Sequence, residues 1–211
     1  APACTAACPL HVDARAVCAV VSKGDFSAGL QLIKKALPFP GIVCRICEQP
    51  CREVCLRDQS LAMADLERAC QEFGVEPQTK TVQTVKRKQR VAVVGGGLNG
   101  LTAALDLAKK RYPVVVFESS SVLGGRLNSF SENQLPRSVV EIELNRLFEL
   151  GVEIRLNTPV GSSVSGGAVT LGELLHEFDA VYVATGSAST LNIKDAGLGS
   201  VDPQTRASSQ P

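Results

Sequence analysis

The chain has 211 residues, a net charge of +1 at pH 7, eight cysteines and no tryptophan. Its near-balanced charge gives no electrostatic footprint for nucleic acid, and no apolar run is long enough to span a bilayer. The length fits one large or two small domains.

The chain opens on Ala1-Pro2 without methionine and without the basic, apolar and cleavage regions of a signal peptide, so its start is read as truncated or processed. Cys4-x-x-x-Cys8-Pro9 follows. Asp13 is placed to cap a helix running to Val21, and Asp25 or Ser27 a second one to Ala36, in which Leu30, Ile33 and Leu37 recur at helical spacing. Pro38 and Pro40 are expected to stop that helix. Next comes Cys44-Arg-Ile-Cys47-Glu-Gln-Pro-Cys51-Arg-Glu-Val-Cys55. A third helix is expected from about Leu61 to Phe73, ending at Gly74 in a left-handed cap.

Six of the cysteines thus fall in two tight groups, whereas a disulfide framework spreads its cysteines out. Thiolates three or four residues apart can converge on one soft metal centre, and runs followed by proline point to iron–sulfur clusters. Zinc is the rival reading, but His11 and His176 stand in no Cys/His pattern. Cys18 and Cys70 are isolated within helical patterns and are read as buried apolar groups. Helices this short bury little area, so a bound metal centre would staple the domain. The expected organisation is a small helical metal domain over 1–74, a polar linker over 75–89, and an α/β domain over 90–211. Lys86-Arg87-Lys88 is read as part of the solvated linker.

The second domain begins Arg90-Val-Ala-Val-Val-Gly95-Gly96-Gly97-Leu98-Asn99-Gly100. An apolar strand before Gly95, a helical pattern from Gly100 to Lys110 and a second strand from Pro113 to Phe117, ending at Glu118, make this a dinucleotide-binding fingerprint. Gly95 permits the tight turn, Gly97 admits a pyrophosphate and Gly100 lets helix pack on strand. Glu118 is the expected acceptor for a ribose hydroxyl. The alternative is a glycine-rich turn with no ligand. Further on, Ser138 to Leu150 reads as a helix and Val152 to Leu156 as a strand completing a doubly wound sheet. A short helix from Leu171 to Phe178 then leads into a strand from Ala180 to Ala184. His176 is read as a surface or packing residue, and no nucleophile–base pair is present to make a catalytic site.

Gly95, Gly97 and Gly100, then Glu118 with Gly124-Gly125-Arg126-Leu127, then Ala184-Thr185-Gly186 resemble the FAD-binding marks of two-dinucleotide flavoprotein reductases. With the cysteine domain in front, the chain resembles the flavin/iron–sulfur oxidoreductases of the glutamate synthase small subunit and the N-terminal part of dihydropyrimidine dehydrogenase. The resemblance implies FAD and [4Fe-4S] clusters as cofactors. It assigns one cluster to Cys8, Cys47, Cys51 and Glu67, and gives a second cluster Cys4 and Cys55 with a Cys-x-x-Cys pair that here would lie upstream of Cys4. That pair is absent from this sequence. Lost residues, absence of the cluster, Cys44 or another subunit are the alternatives. Without the resemblance, Glu67 reads as a surface carboxylate paired with a basic neighbour.

Relatives continue after Ala-Thr-Gly into an NAD(P)H domain, for which the residues after Gly186 are too few, since such a domain needs roughly a hundred. Val201 to Pro211 resembles the stretch before the last flavin-contacting motif, as though that domain were skipped. The expected fold is therefore a helical iron–sulfur domain followed by a Rossmann-like FAD domain, without a separate NAD(P)H domain. The expected function is an electron-transfer subunit, or a fragment of one, in a cytoplasmic redox complex. Its partners would be other subunits and a ferredoxin-like or NAD(P)H-linked donor. Two other readings are kept: an NAD(P)H-dependent oxidoreductase whose nicotinamide domain lies outside this chain, and a zinc-stabilised interaction module.

Overall fold

The structure is a computed structural model that describes residues 1–76, 86–161 and 169–186. Most of the expected linker and all of Val201 to Pro211 lie outside the described residues. The chain divides into two compact units, Ala1–Gln83 with Phe130–Arg146, and Thr84–Ser129 with Leu147–Pro211.

The first unit is helical: α1 (Ala3–Ala7), α2 (Ala14–Val21), α3 (Phe26–Ala36), α4 (Pro40–Ile46), α5 (Pro50–Glu53) and α6 (Met63–Phe73). Asp13 caps α2 by accepting from the Ala16 N–H at 3.0 Å, and Asp25 caps α3 through the Ala28 N–H at 2.9 Å. Ser27, the other candidate cap, instead accepts from the Val75 N–H at 3.0 Å. Pro40 does more than stop a helix. It occupies the first turn of α4, where a missing N–H costs nothing. Val17, Leu30, Ile33, Leu37, Met63 and Cys70 form the core, with Cys4, Cys8, Cys18 and Cys51 packed at its border.

Gly74 does not adopt the expected left-handed cap, since its φ is −80°. Glycine is needed there for room, because a Cβ would lie 2.4 Å from the Cys70 carbonyl oxygen and 2.8 Å from that of Phe26.

Most of helix α8 (Arg137–Glu149), expected to complete the sheet domain, groups with the first unit. The reason is Glu143, which is 5% exposed and accepts from the Gly41 N–H at 2.7 Å, satisfying a donor in the first turn of α4. Arg146 Nη1 lies 3.1 Å from its other oxygen. Removing this carboxylate strands a buried N–H and a guanidinium. Glu143→Ala is therefore expected to lower stability by about 1–3 kcal/mol, read from the urea midpoint at unchanged slope. A loss below about 0.5 kcal/mol, the range of ordinary surface changes, would contradict it.

The second unit is a parallel sheet of β1 (Val91–Val94), β2 (Val114–Phe117), β3 (Glu153–Arg155) and β4 (Ala180–Val183), in the order β3-β2-β1-β4. β1 and β2 are buried along their whole length, as parallel strands covered on both faces must be. Ala92, Val94, Val115 and Phe117 pack one face against Leu174 and Phe178, residues of helix α9 (Leu171–Glu177) and its C-cap. Helix α7 (Leu98–Lys109) buries Leu101, Ala104, Leu105 and Ala108. Thr170 and Glu173 form a capping box that starts α9.

Candidate functional site

In the helical unit six of the eight cysteines line two cavities. The narrower, about 30 Å³, is lined by Cys4, Cys8, Val12, Ala14, Cys47, Gln49, Pro50, Cys51, Met63, Ala64 and Glu67. Cys8, Cys47, Cys51 and Glu67, the four residues assigned to one cluster, therefore share one cavity. They come from four places: the end of α1, the C-cap of α4, α5 and α6. The larger, about 630 Å³, is lined by Cys4, Cys18, Cys51 and Cys55 together with Arg15, Arg57, Met63 and apolar side chains. All of the cysteines are free thiols. Among the described residues no three His, Cys, Asp or Glu side chains converge on a single-ion position.

Glu67 overturns its reading as a surface carboxylate. It is 7% exposed, and burial pushes its carboxyl up to about 7. The nearby Arg68 instead pairs with Asp65 on the outer side of α6. Burial also raises the Cys51 thiol, and the neighbouring Cys47 and Cys8 thiolates raise it further. Burial likewise raises Cys47, against the Gln49 N–H, which donates to its Sγ at 3.3 Å. That donor is aimed by a left-handed Gln49, φ 55°, and N–H bonds to ligand sulfurs tune cluster potentials. The Gln49 side-chain Oε1 is buried without a partner in the same cavity wall, a feature the sequence did not disclose. Three thiols and a carboxyl facing one space suit the thiolate-rich ligation of an iron–sulfur cluster.

Cys44 lines neither cavity. It is 2% exposed, its thiol donates to the Gly41 carbonyl at 3.6 Å, and burial pushes it up to about 11. Cys70 is fully buried in the core, as expected. Cys18, read with it as core, is half-buried and faces the larger cavity, its Sγ 3.7 Å from Met63 Sδ.

In the sheet unit the glycine loop joins β1 to α7. Gly95 takes a φ of +108° and donates its N–H to Phe117 O at 2.8 Å. Gly97 is the N-cap of α7 and brings no side-chain cap, so the first N–H groups of that helix carry no side-chain acceptor there. A Cβ on Gly97 would meet nothing within 4 Å, the open approach a pyrophosphate requires. A Cβ on Gly100 would lie 2.0 Å from Gly95 O, which is the close packing expected of the third glycine.

The other expected cofactor segments lie beside this loop. Gly124 bridges to Gly97 and donates to Gly96 O at 2.8 Å, while the Ala184 N–H donates to Val94 O at 2.7 Å. Ala184 and Thr185 pass close to the Gly95 α-carbon. Gly186 follows with a φ of +82°. Arg126 is exposed, whereas Leu127 is 3% exposed and belongs to the interior. Tyr182 was missed: its hydroxyl donates to Asn99 Oδ1 at 2.9 Å, tying β4 to the first turn of α7.

Glu118 is buried at the end of β2. Oε2 accepts from the Gly96 N–H at 2.7 Å, and Oε1 accepts from the Ser120 N–H and hydroxyl at 2.8 Å each. Burial alone would raise its carboxyl, but those donors outweigh it and hold the group below the ordinary range. With the folded value depressed, its stabilisation is complete above the unfolded value, near 4.5, and is lost as pH falls through the folded one. Glu118→Gln is expected to flatten the part of the acid-unfolding curve below about pH 4.5 while lowering stability at pH 7. Identical acid limbs in both proteins would contradict this assignment.

A cysteine-ringed helical unit is thus joined in sequence to a glycine-loop Rossmann-like unit. Residues 1–79 match the sequence family "dihydropyrimidine dehydrogenase domain II, 4Fe-4S cluster", and residues 93–154 match the NAD(P)-binding Rossmann-like domain. The chain is 30% identical over 231 residues to the NADP(+)-dependent formate dehydrogenase subunit beta of Moorella thermoacetica, covering 95% of this chain and 32% of that one. It is 30% identical over 199 residues to the NAD-dependent dihydropyrimidine dehydrogenase subunit PreT of Escherichia coli K12, covering 88% and 46%. It is also 29% identical to the glutamate synthase [NADPH] small chain of Bacillus subtilis, covering 87% and 37%. The chain is similar to these oxidoreductase subunits over most of its own length, and the zinc-module reading is not favoured. It spans less than half the length of each of these relatives. Among the described residues no helix is long and apolar enough to cross a membrane.

Proposed function

We propose that this chain is the electron-transfer part of an oxidoreductase complex, holding FAD in the sheet unit and at least one [4Fe-4S] cluster in the helical unit. The observation that carries the proposal is the shared cavity of Cys8, Cys47, Cys51 and Glu67. When bound, a flavin exchanges electron pairs while a cluster exchanges single electrons.

The residues contribute binding and tuning. Gly95, Gly97 and Gly100 keep the α7 N-terminus open to a pyrophosphate, Glu118 fixes the loop and offers a ribose acceptor, and the Gly124-Gly125 and Ala184-Thr185-Gly186 segments border the same space. Cys8, Cys47, Cys51 and Glu67 would hold the cluster, each thiol giving up its proton on loading. The Gln49 N–H remains on the Cys47 sulfur.

The relatives' names carry NAD or NADP, which supports a nicotinamide couple as the two-electron partner of the flavin, reached through a further domain or subunit. Anaerobic purification followed by iron, sulfide and flavin assays and a visible spectrum tests the reading. Iron, sulfide and FAD should co-purify in fixed ratio and bleach with dithionite. Zinc without iron or flavin would refute it.

A further inference from the structure

A thiolate-bound cluster in the narrower cavity would gain negative charge on reduction, yet the walls of that cavity carry no cation. Among the described residues that line it there is no Lys, Arg or His, and Gln49 is the only one with a side-chain N–H. The other polar groups are the thiols of Cys4, Cys8, Cys47 and Cys51 and the Glu67 carboxyl, all of them acceptors once deprotonated. We infer that the Gln49 side-chain amide is a positioned hydrogen-bond donor to the cluster of this cavity, raising its reduction potential without ligating iron. The inference deepens the iron–sulfur reading of the helical unit and rests on it.

Three features of Gln49 support it. The residue is held in the left-handed region, φ 55°, which non-glycine residues adopt uncommonly and at a cost. That conformation sets its N–H on Cys47 Sγ at 3.3 Å and keeps its side chain in the same cavity wall. Pro50 follows in the first turn of α5 and has no N–H to share the task. The second feature is Gln49 Oε1, which is buried and has no hydrogen-bond partner. An orphaned buried acceptor destabilises a fold, so packing alone does not account for an amide at this place. The third is the chemistry of the amide itself, which has an acceptor at one end and two donors at the other within one nearly symmetric plane. A half turn about its last bond brings the NH₂ group to the buried position of the oxygen, where thiolate and sulfide sulfurs supply acceptors. A glutamate offers only acceptors there, and an apolar side chain offers nothing.

Reduction adds one electron to the cluster, supplied by dithionite in the test, and breaks no bond in the protein. The amide protons stay on their nitrogen. The added charge strengthens an N–H bond to sulfur, so the donor favours the reduced state.

The test uses the full chain, reconstituted anaerobically with ferrous iron and sulfide, as wild type, Gln49→Met, Gln49→Glu and Cys8→Ser. Methionine keeps the length of the side chain without its donor, and glutamate keeps the length while offering an acceptor. Both are unbranched at Cβ like glutamine, so the positive φ costs them no more than it costs the wild type. The electron paramagnetic resonance signal that Cys8→Ser loses marks the cluster of the narrower cavity. Both Gln49 variants should take up wild-type amounts of iron and sulfide, as a lost ligand would not allow. In a dithionite titration, the reduction equilibrium constant of the marked cluster should fall about tenfold in Gln49→Met, or about 59 mV for one electron. Gln49→Glu should lower it further. Far-ultraviolet circular dichroism verifies folding.

A wild-type potential in Gln49→Met overturns the inference, as does a potential in Gln49→Glu at or above that of the wild type. Loss of iron from both folded variants also overturns it, by making Gln49 a ligand or a scaffold residue. In all of these cases the iron–sulfur reading stands. A wild type that takes up no iron, or a Cys8→Ser variant that keeps every signal, overturns that reading for the narrower cavity and the inference with it.

Discussion

Glu67→Ala is expected to lose the cluster of the narrower cavity while the metal-free protein stays folded. Glu67 sits on the buried side of α6, 7% exposed, in the wall shared with Cys8, Cys47 and Cys51. A carboxylate taken from water without a charged partner costs several kcal/mol, and here burial alone lifts the carboxyl up to about 7. A purely structural role would not favour an acid at such a place. An iron at the cavity centre would offset the burial by supplying the missing positive charge.

The two roles separate experimentally. If Glu67 is a ligand, Glu67→Ala and Glu67→Gln should release iron to a chelator at least about tenfold faster than wild type, by analogy with the cost of losing groups that support a metal site. Their metal-free forms should be no less stable than the metal-free wild type in urea. Unchanged iron content, spectra and release rate would refute the assignment. A large loss of metal-free stability with normal iron would make Glu67 a structural residue instead.

Much of this was legible from residues with short-range causes. Asp13 and Asp25 sit three residues before the N–H groups they cap, Gly95, Gly97 and Gly100 stand at fixed places in one turn, and the strands through Val91, Val114 and Ala180 are short apolar runs. Long-range causes were not legible. The placement of α8 depends on a Glu143–Gly41 bond across more than a hundred positions, and no periodicity announces that. Gly74 looked like a left-handed cap because glycine often serves there, whereas the actual constraint is the approach of Cys70 and Phe26 carbonyls. Cys18 and Cys70 read alike in sequence, since both lie in apolar helical patterns. Only the packing of α2 and α6 shows that one faces a cavity and the other the core. The short helix α5 was invisible because four residues carry no period to detect.

Two alanines in the glycine loop should fail for different reasons. At Gly100 a Cβ would lie 2.0 Å from Gly95 O and 3.2 Å from Val93 Cγ1, and both neighbours are held by the sheet. Alanine gains about 1 kcal/mol in helix propensity at an interior position, but a backbone oxygen cannot move aside as a flexible side chain does. The displacement of β1 from α7 should outweigh that gain, for a net loss of about 1–3 kcal/mol. At Gly97 the φ is −78° and no atom lies within 4 Å of the added carbon. Gly97→Ala should therefore cost about 1 kcal/mol or less, the scale of an N-cap change, yet its methyl group would occupy the approach proposed for the pyrophosphate.

Gly97→Ala is thus expected to fold normally and bind FAD at least about tenfold more weakly, a change of about 1.4 kcal/mol. Gly100→Ala should lose stability and flavin together. Thermal melts and fluorescence titration with FAD distinguish these outcomes. Wild-type affinity in Gly97→Ala would remove the pyrophosphate from this loop, and wild-type stability in Gly100→Ala would show that the strand–helix contact is not the constraint on that glycine.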